Sequence, residues 1–168
     1  MPLVYYPLDH STLGRWGAAA TIYYSGADTV TGVVFPEGTA SVLFFGRHGT
    51  TYCYGPGTGD ASKAGKPATD IGDTADSWCY DADDASKGNH GYPYVPQVWA
   101  YNASDLAAVH AGKKRPWDLL PYAVWTLPGF AGSQVGGAAY DPATNRVYVS
   151  EMDADSSGLP RIHVYSVQ

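Results

Sequence analysis

Charge and long apolar runs are what this chain has least of. Lys and Arg together number 10 and Asp and Glu 16, giving a net charge of −6 at pH 7. That balance excludes a non-specific nucleic-acid binder, because a phosphate backbone demands a basic surface. The one basic cluster, Lys113-Lys114-Arg115, stands between turn signals and reads as a solvated loop. No apolar run approaches the length of a bilayer-crossing helix, so no membrane partner is expected. No glycine-rich loop leads from a strand into a helix, which leaves nucleotide binding without support. An export signal is missing as well: Met1-Pro2-Leu3 runs straight into Val4-Tyr5-Tyr6, which reads as a strand. That start is expected of a segment from inside a longer chain, or of a protein made without such a signal.

Cysteine is nearly absent too. Cys53 and Cys79 each stand between an aromatic residue and Tyr, in Tyr52-Cys53-Tyr54 and Trp78-Cys79-Tyr80. Two reduced, half-buried thiols fit that pattern. So does a disulfide, formed if the two segments pair as a hairpin and close the Gly-, Pro-, Ser- and Asp-rich stretch between them. The disulfide is the expectation we carry forward, and with it an extracellular or periplasmic location. Without a matching His pair, two cysteines make a poor zinc site.

What is abundant points to strands. Apolar residues make up 45% of the chain, enough for a sizeable core, and Gly (20), Pro (12), Tyr (14) and Trp (5) stand out. Aromatic residues favour strands while Gly and Pro punctuate turns, so the chain reads as all-β. An internal repeat then organises it. Gly32-Val33-Val34-Phe35-Pro36-Glu37-Gly38-Thr39-Ala40-Ser41-Val42-Leu43-Phe44-Phe45-Gly46 aligns without a gap on Gly137-Ala138-Ala139-Tyr140-Asp141-Pro142-Ala143-Thr144-Asn145-Arg146-Val147-Tyr148-Val149-Ser150-Glu151. Each copy reads as a small-residue strand A, a Pro- and Thr-containing turn and a strand B. Strand C recurs as Gln97-Val98-Trp99-Ala100-Tyr101-Asn102 and Arg161-Ile162-His163-Val164-Tyr165-Ser166. After the first C come a short polar turn, Ala103 to Leu106, and a fourth strand D at Pro121 to Leu127. Residues 1–28, with Val4-Tyr5-Tyr6 and Ala18 to Tyr24, read as the C and D strands of a preceding unit.

The A–B hairpins resemble the inner hairpins of β-propeller blades of the kelch, NHL and quinoprotein-like kind. That resemblance implies four-stranded antiparallel blades, about two to three in this chain. They would comprise a partial blade at 1–28, a complete one at 29–127 with a long insertion at 47–96, and a partial one at 128–168. It also fits the gradient from small residues on strand A, as in Gly136-Gly137-Ala138-Ala139, to aromatics such as Trp99, Tyr101, Tyr122 and Trp125 on outer strands. The resemblance identifies an architecture and not an activity.

In a propeller the B–C and D–A connections share one end, where a binding face is expected. Arg47, His48, His90, Tyr92, Tyr94 and Glu151 fall on those connections and are the binding-face candidates. His with Tyr can serve as acid and base in a polysaccharide lyase, with Arg neutralising a uronate. Asp70, Asp73, Asp76, Asp81, Asp83 and Asp84 could supply a carboxylate pair for glycoside hydrolysis. The bland reading of both sets is a polar loop. Tyr92-Pro93-Tyr94-Val95-Pro96 suits a carbohydrate or protein ligand, or packing of the insertion on its own sheet. Asp153, Asp155 and Ser157, with Glu151 before them and Gly158 after, have a calcium-loop spacing but lack the closing acidic residue, since Val164 stands in its place; no cofactor is therefore expected. A structural or binding module, self-assembling or part of a longer propeller chain, is the leading expectation, and part of an extracellular carbohydrate-active enzyme is the alternative. A closed ring needs more blades than this chain holds, so a homo-oligomer or the remainder of a longer chain is the partner expected.

Overall fold

The computed structural model describes residues 1–8, 10–13, 23–86, 88, 90–132 and 134–167. In chain order the elements are β1 (Thr29–Val34), β2 (Ser41–Gly49), β3 (Tyr52–Cys53), β4 (Gly57–Thr58), β5 (Cys79–Tyr80), β6 (His90–Gly91), β7 (Tyr94–Asn102), α1 (Ala103–His110), β8 (Ala123–Thr126), β9 (Val135–Asp141), β10 (Arg146–Glu151) and β11 (Arg161–Ser166). The chain is mostly β, as its composition suggests. Two antiparallel sheets dominate: a four-stranded one ordered β1-β2-β7-β8 (sheet 1) and a three-stranded one ordered β9-β10-β11 (sheet 2).

Both A–B hairpins form where the repeat places them. In the first, the Thr39 amide and hydroxyl both donate to the Pro36 carbonyl, and Gly38 takes a left-handed φ of 73°. In the second, the Asp141 carboxylate accepts from the Ala143 amide (2.9 Å) and the Thr144 hydroxyl (2.6 Å). Asn145 follows at φ 52°, a conformation its short polar side chain tolerates. Strand alternation then sorts the side chains. Leu43 and Phe45 of β2 share one face with Val34 and Val98, called the front, and bury against Val147, Val149 and Tyr165 of sheet 2. Val42 and Phe44 point the other way, with Trp99 and Tyr101, onto the back. The sheets meet closely at their first strands: a Cβ on Gly32 would lie 2.6 Å from the Ala138 nitrogen, so only glycine allows that approach.

Five expectations need correcting. The connection after Asn102 is a helix, α1, and not a short turn. Asn102 caps it, accepting from the Ser104 amide (2.9 Å) and hydroxyl (2.8 Å), while Leu106 and Val109 bury one face against the back of sheet 1. Val4 to Tyr6 is not a strand. Tyr6 instead lies against the back of sheet 1, where its hydroxyl donates to the Leu119 carbonyl (2.6 Å) and accepts from the Tyr101 hydroxyl (2.6 Å). Burial pushes the Tyr6 phenol up to about 12, so the pair stays neutral. Of the proposed preceding D strand, residues 18–22 lie outside the described residues, and Tyr23 and Tyr24 are not in a strand.

The insertion is also shorter than 47–96. β2 continues through Gly49 and β7 begins at Tyr94, with Arg47 opposite Pro96. Within the insertion the disulfide between Cys53 and Cys79 is present, its Cα atoms 5.6 Å apart. The two cysteine segments do not pair with each other, however. Cys53 lies opposite His90, and Cys79 runs parallel beside Gly57, because each strand finds its hydrogen bonds elsewhere in the loop. Ala68, Trp78 and Cys79 give this region a small buried centre of its own.

Candidate binding surfaces

At the insertion end, three of the expected face residues come together with one that was not expected. The Arg47 guanidinium lies 4.2 Å from the centre of the Tyr94 ring. Tyr94 meets Tyr92 edge-on at 6.5 Å, and Tyr92 meets Tyr80 at 5.3 Å. All four are half-buried, forming a ladder with one cation at its end. The signal for Tyr80 was its aromatic neighbourhood around Cys79.

His48 and His90 do not join this ladder. His48 follows Arg47 on β2 and therefore points to the other face, edge-on to Trp99. Its Nδ1 lies 2.8 Å from Asp28, whose carboxylate also accepts from the Gly49 amide (3.0 Å) and from the amide (2.8 Å) and hydroxyl (3.0 Å) of Ser25. This pair pins the Ser25–Asp28 turn to β2. His90 is buried, donating from Nδ1 to the Gly88 carbonyl (2.6 Å), with Nε2 3.6 Å from Asp81. An acid–base set made of Arg47, His48, His90 and Tyr92 is thus divided: Arg47 and His48 project to opposite faces of β2, and His90 is buried beside Asp81 in the insertion. The insertion carboxylates mostly hold their own turns. Asp70 accepts from the Trp78 indole (2.8 Å) and Lys63 (2.7 Å), Asp73 from the amides of Ala75 and Asp76, and Asp81 from those of Asp83 and Asp84. Desolvation and the neighbouring Asp73 raise the pKa of Asp76.

Glu151 is not on an open face. It is fully buried, accepting from the amides of Ala131 and Gly132 (2.7 Å each) and lying 2.7 Å from His163 Nε2. The His163 ring stacks on Phe130 at 4.3 Å, so the β8–β9 connection is fastened to sheet 2 at both its side chain and its backbone. Burial alone would raise the Glu151 pKa; the donors from Gly132, His163 and Ala131 outweigh it and hold the carboxyl below its usual value. Asp155 is likewise engaged, accepting from the amides of Ser157 (2.8 Å) and Leu159 (3.0 Å). Asp153 sits at φ 50° and Gly158 at φ 73°, the dihedrals of a tight hairpin loop. Asp153 and Asp155 are exposed while Glu151 is buried, and among the described residues no three His, Cys, Asp or Glu side chains gather as metal ligands.

The larger unfilled surfaces lie on the sheets. On the outer face of sheet 2, Tyr148 and Ser150 of β10 align with Ala139 and Gly137 of β9 and with Val164 and Ile162 of β11. Ile162 is 57% exposed and Val164 50%. On the back of sheet 1, α1, Leu119, Tyr6 and Tyr24 bury Val42, Trp99 and Tyr101, and the described residues leave the first strand, β1, exposed. There Val33, which lies opposite Phe44, is 45% exposed and Val30 38%. A cavity of about 350 Å³ walled by Tyr5, Tyr24, Val30, Phe44 and Trp99 opens beside them. A second cleft, about 400 Å³, lies between Tyr122 and Trp125 of sheet 1 and Tyr165 and Val167 of sheet 2, next to the free edge of β11. None of these surfaces was expected as a site, because an exposed face needs a partner sheet to identify it. No helix among the described residues is long and apolar enough to cross a membrane. No family model, no curated protein and no solved structure matches this chain.

Proposed function

We propose that this chain is a building unit of β-propeller type, a structural module whose sheets stack as blades with the small-residue strands β1 and β9 innermost. One observation carries the reading: equivalent positions of the repeat are covered in sheet 1 and open in sheet 2. Leu43, Phe45, Val98 and Ala100 form the front of sheet 1 and lie beneath sheet 2. Their equivalents Tyr148, Ser150, Ile162 and Val164 form the outer face of sheet 2. A β-sandwich pairs two inward faces and ends there. In this chain sheet 2 instead turns toward sheet 1 the equivalents of the face that sheet 1 turns away from it, as a series of like-oriented blades requires.

The insertion, braced by its disulfide, projects from the end of such a stack and displays the Arg47–Tyr94–Tyr92–Tyr80 ladder for binding. The disulfide supports an oxidising compartment. An extracellular glycoside hydrolase or lyase has less support, because His48, His90 and Glu151 are occupied in buried pairs. Electron microscopy of the particle in which the chain occurs tests the reading. A further sheet should lie on Tyr148, Ile162 and Val164 and continue the same sense of stacking; a helix on that face, or solvent, would sink it.

A further inference from the structure

β11 ends sheet 2 with an unguarded edge, and its backbone specifies what fits there. The Val167 amide donates to the Asn145 carbonyl (3.1 Å), so in an antiparallel ladder Tyr165 and His163 also bond to β10. The amides and carbonyls of Ile162, Val164 and Ser166 therefore turn outward, and among the described residues no strand lies beside them. In sheet 1 the matching edge is filled. Val98 and Ala100, the equivalents of Ile162 and Val164, lie opposite Trp125 and Ala123 of β8, and the Tyr122 amide donates to the Ala100 carbonyl (2.8 Å). β8 is itself an outer strand, but it is four residues long with Pro121 and Pro128 close to its ends, a guard against further pairing. β11 has six residues and no proline within it.

We propose that the edge of β11 binds an extended segment of another polypeptide, which adds antiparallel as a fourth strand and lays apolar side chains into the cleft beside Trp125. The proposal goes beyond the blade-type reading and does not rest on it, since it concerns the backbone of an edge and not a stacking face.

The surroundings of the edge select that occupant. The cleft of about 400 Å³ lies beside the end of β11, between Tyr165 and Val167 of sheet 2 and Leu43, Tyr122 and Trp125 of sheet 1. Side chains alternate along a strand, and residues directly opposite each other share a face. Residues of the added strand opposite Tyr165 and Val167 thus enter the cleft, while their neighbours face away. Tyr122 (60% exposed) and Trp125 (42%) wait uncovered on its wall, and no charged side chain lines it among the described residues. Apolar residues at alternate positions match that wall. A small molecule would fill the cleft but leave the outward backbone groups of β11 unmet; a strand meets both. This mode of recognition takes affinity from the main chain and specificity from the alternate pockets.

The chain has no described strand to spare for the place. β1, β2, β7 and β8 are committed to sheet 1, β9 and β10 to sheet 2, and β3 to β6 pair among themselves in the insertion. The N-terminal segment is tied by Tyr6 to the back of sheet 1, whereas Leu43 and Trp125 put the cleft at its front.

Nuclear magnetic resonance with the full chain tests this. The probe is a blocked peptide with the sequence of residues 121–127, because β8 fits the matching edge of β7. The peptide should slow exchange of the Ile162, Val164 and Ser166 amides by about tenfold or more and leave Tyr165, already bonded to β10, unchanged. In the chain the Leu127 amide donates to the Pro96 carbonyl (2.9 Å), so Trp125 and Ala123 bond to β7 and Val124 faces away. N-methylating the peptide at its Ala123 and Trp125 positions should therefore weaken binding by about tenfold or more, and at its Val124 position by much less. Val164→Pro removes an outward donor but no bond to β10, and should weaken binding while the circular dichroism stays unchanged. Trp125→Ala, on the half-exposed wall, should weaken it independently. No exchange protection up to about 1 mM peptide would overturn the proposal. Binding that ignores both N-methylation and Val164→Pro would mean side chains in the cleft without an added strand, and would overturn it as well. Self-association of the chain alone that Val164→Pro abolishes would put a second copy at the edge in place of another polypeptide. None of these outcomes bears on the sheet expected over Tyr148, so the two readings fail separately.

Discussion

β7 and β11 hold the same place in their sheets, and their fates differ. Val98 and Ala100 of β7 are wholly buried, whereas Ile162 and Val164 at the equivalent positions of β11 are half exposed. Chemistry does not separate them, since isoleucine and valine are at least as apolar as valine and alanine. Position in the stack does. Sheet 1 has a layer on each side, sheet 2 in front and α1 with the N-terminal segment behind, while among the described residues sheet 2 has one neighbour. The repeat thus encodes faces independently of whether a single chain covers them.

The sharpest way to break this comparison is to place a charge at both positions. Val98→Asp buries a carboxylate with no partner and should cost about 4 kcal/mol or more, enough to unfold most of the population. Val164→Asp in dilute solution should stay within about 0.5 kcal/mol of the wild type, as for other exposed substitutions. Urea denaturation followed by tryptophan fluorescence checks both. Equal losses would mean that the face of sheet 2 is covered within the chain and that the two strands are not in different surroundings.

A second contrast lies at the last aligned position of the shared hairpin. Gly46 of sheet 1 aligns with Glu151 of sheet 2. A Cβ on Gly46 would fall 1.8 Å from the Thr29 carbonyl oxygen, so no side chain fits, while Glu151 reaches out to hold Ala131, Gly132 and His163. In sheet 2 the carboxylate of the fastening thus comes from the strand itself, whereas in sheet 1 it comes from Asp28 in the connection and the strand supplies His48. Glu151→Gln replaces an acceptor-only carboxylate with an amide whose NH₂ faces donors, and should cost about 2 kcal/mol at neutral pH. The sign with pH follows from the lowered pKa of Glu151. A carboxyl held below its unfolded value contributes stability above that value, about 4.3, and loses it as pH falls through the folded pKa. The gap between wild type and variant should therefore narrow in acid. A gap that is constant from neutral to acid pH would show that the contribution is packing and not charge.

Most of this framework was legible because it depends on periodicity. The hairpins, the third strands and β8 follow from alternation and turn residues, and the repeat alignment also sets the faces. α1 escaped notice, although Asn102, Leu106 and Val109 carry a cap and an apolar face, because a strand on either side made a short turn the simpler reading. The chemical candidates were less legible. His48 and Glu151 are polar residues at strand ends, the pattern of a binding face, yet both turn inward to fasten the neighbouring connection. Sequence gives residue type and strand phase; it does not give which loop folds back to meet the side chain. The disulfide was expected for the right reason, a stretch with little core, though its two strands take other partners.

The smallest expected effect comes from the glycines that begin each repeat. Gly32 and Gly137 occupy equivalent positions, both on extended backbone, so only their surroundings differ. At Gly32 an added Cβ would lie 2.6 Å from the nitrogen and 2.8 Å from the Cβ of Ala138, and the two sheets must part to admit it. Gly32→Ala should cost about 1–3 kcal/mol, the usual penalty for overpacking. At Gly137 the nearest atoms are 4.0 Å away, and the substitution only removes flexibility from the unfolded chain. Gly137→Ala should therefore change the dilute protein by about 0.5 kcal/mol, toward greater stability. Thermal unfolding of the two variants side by side makes the measurement. A destabilised Gly137→Ala under dilute conditions would mean that something already presses on that face within a single chain, and the contrast between a closed front on sheet 1 and an open one on sheet 2 would fail at its closest point.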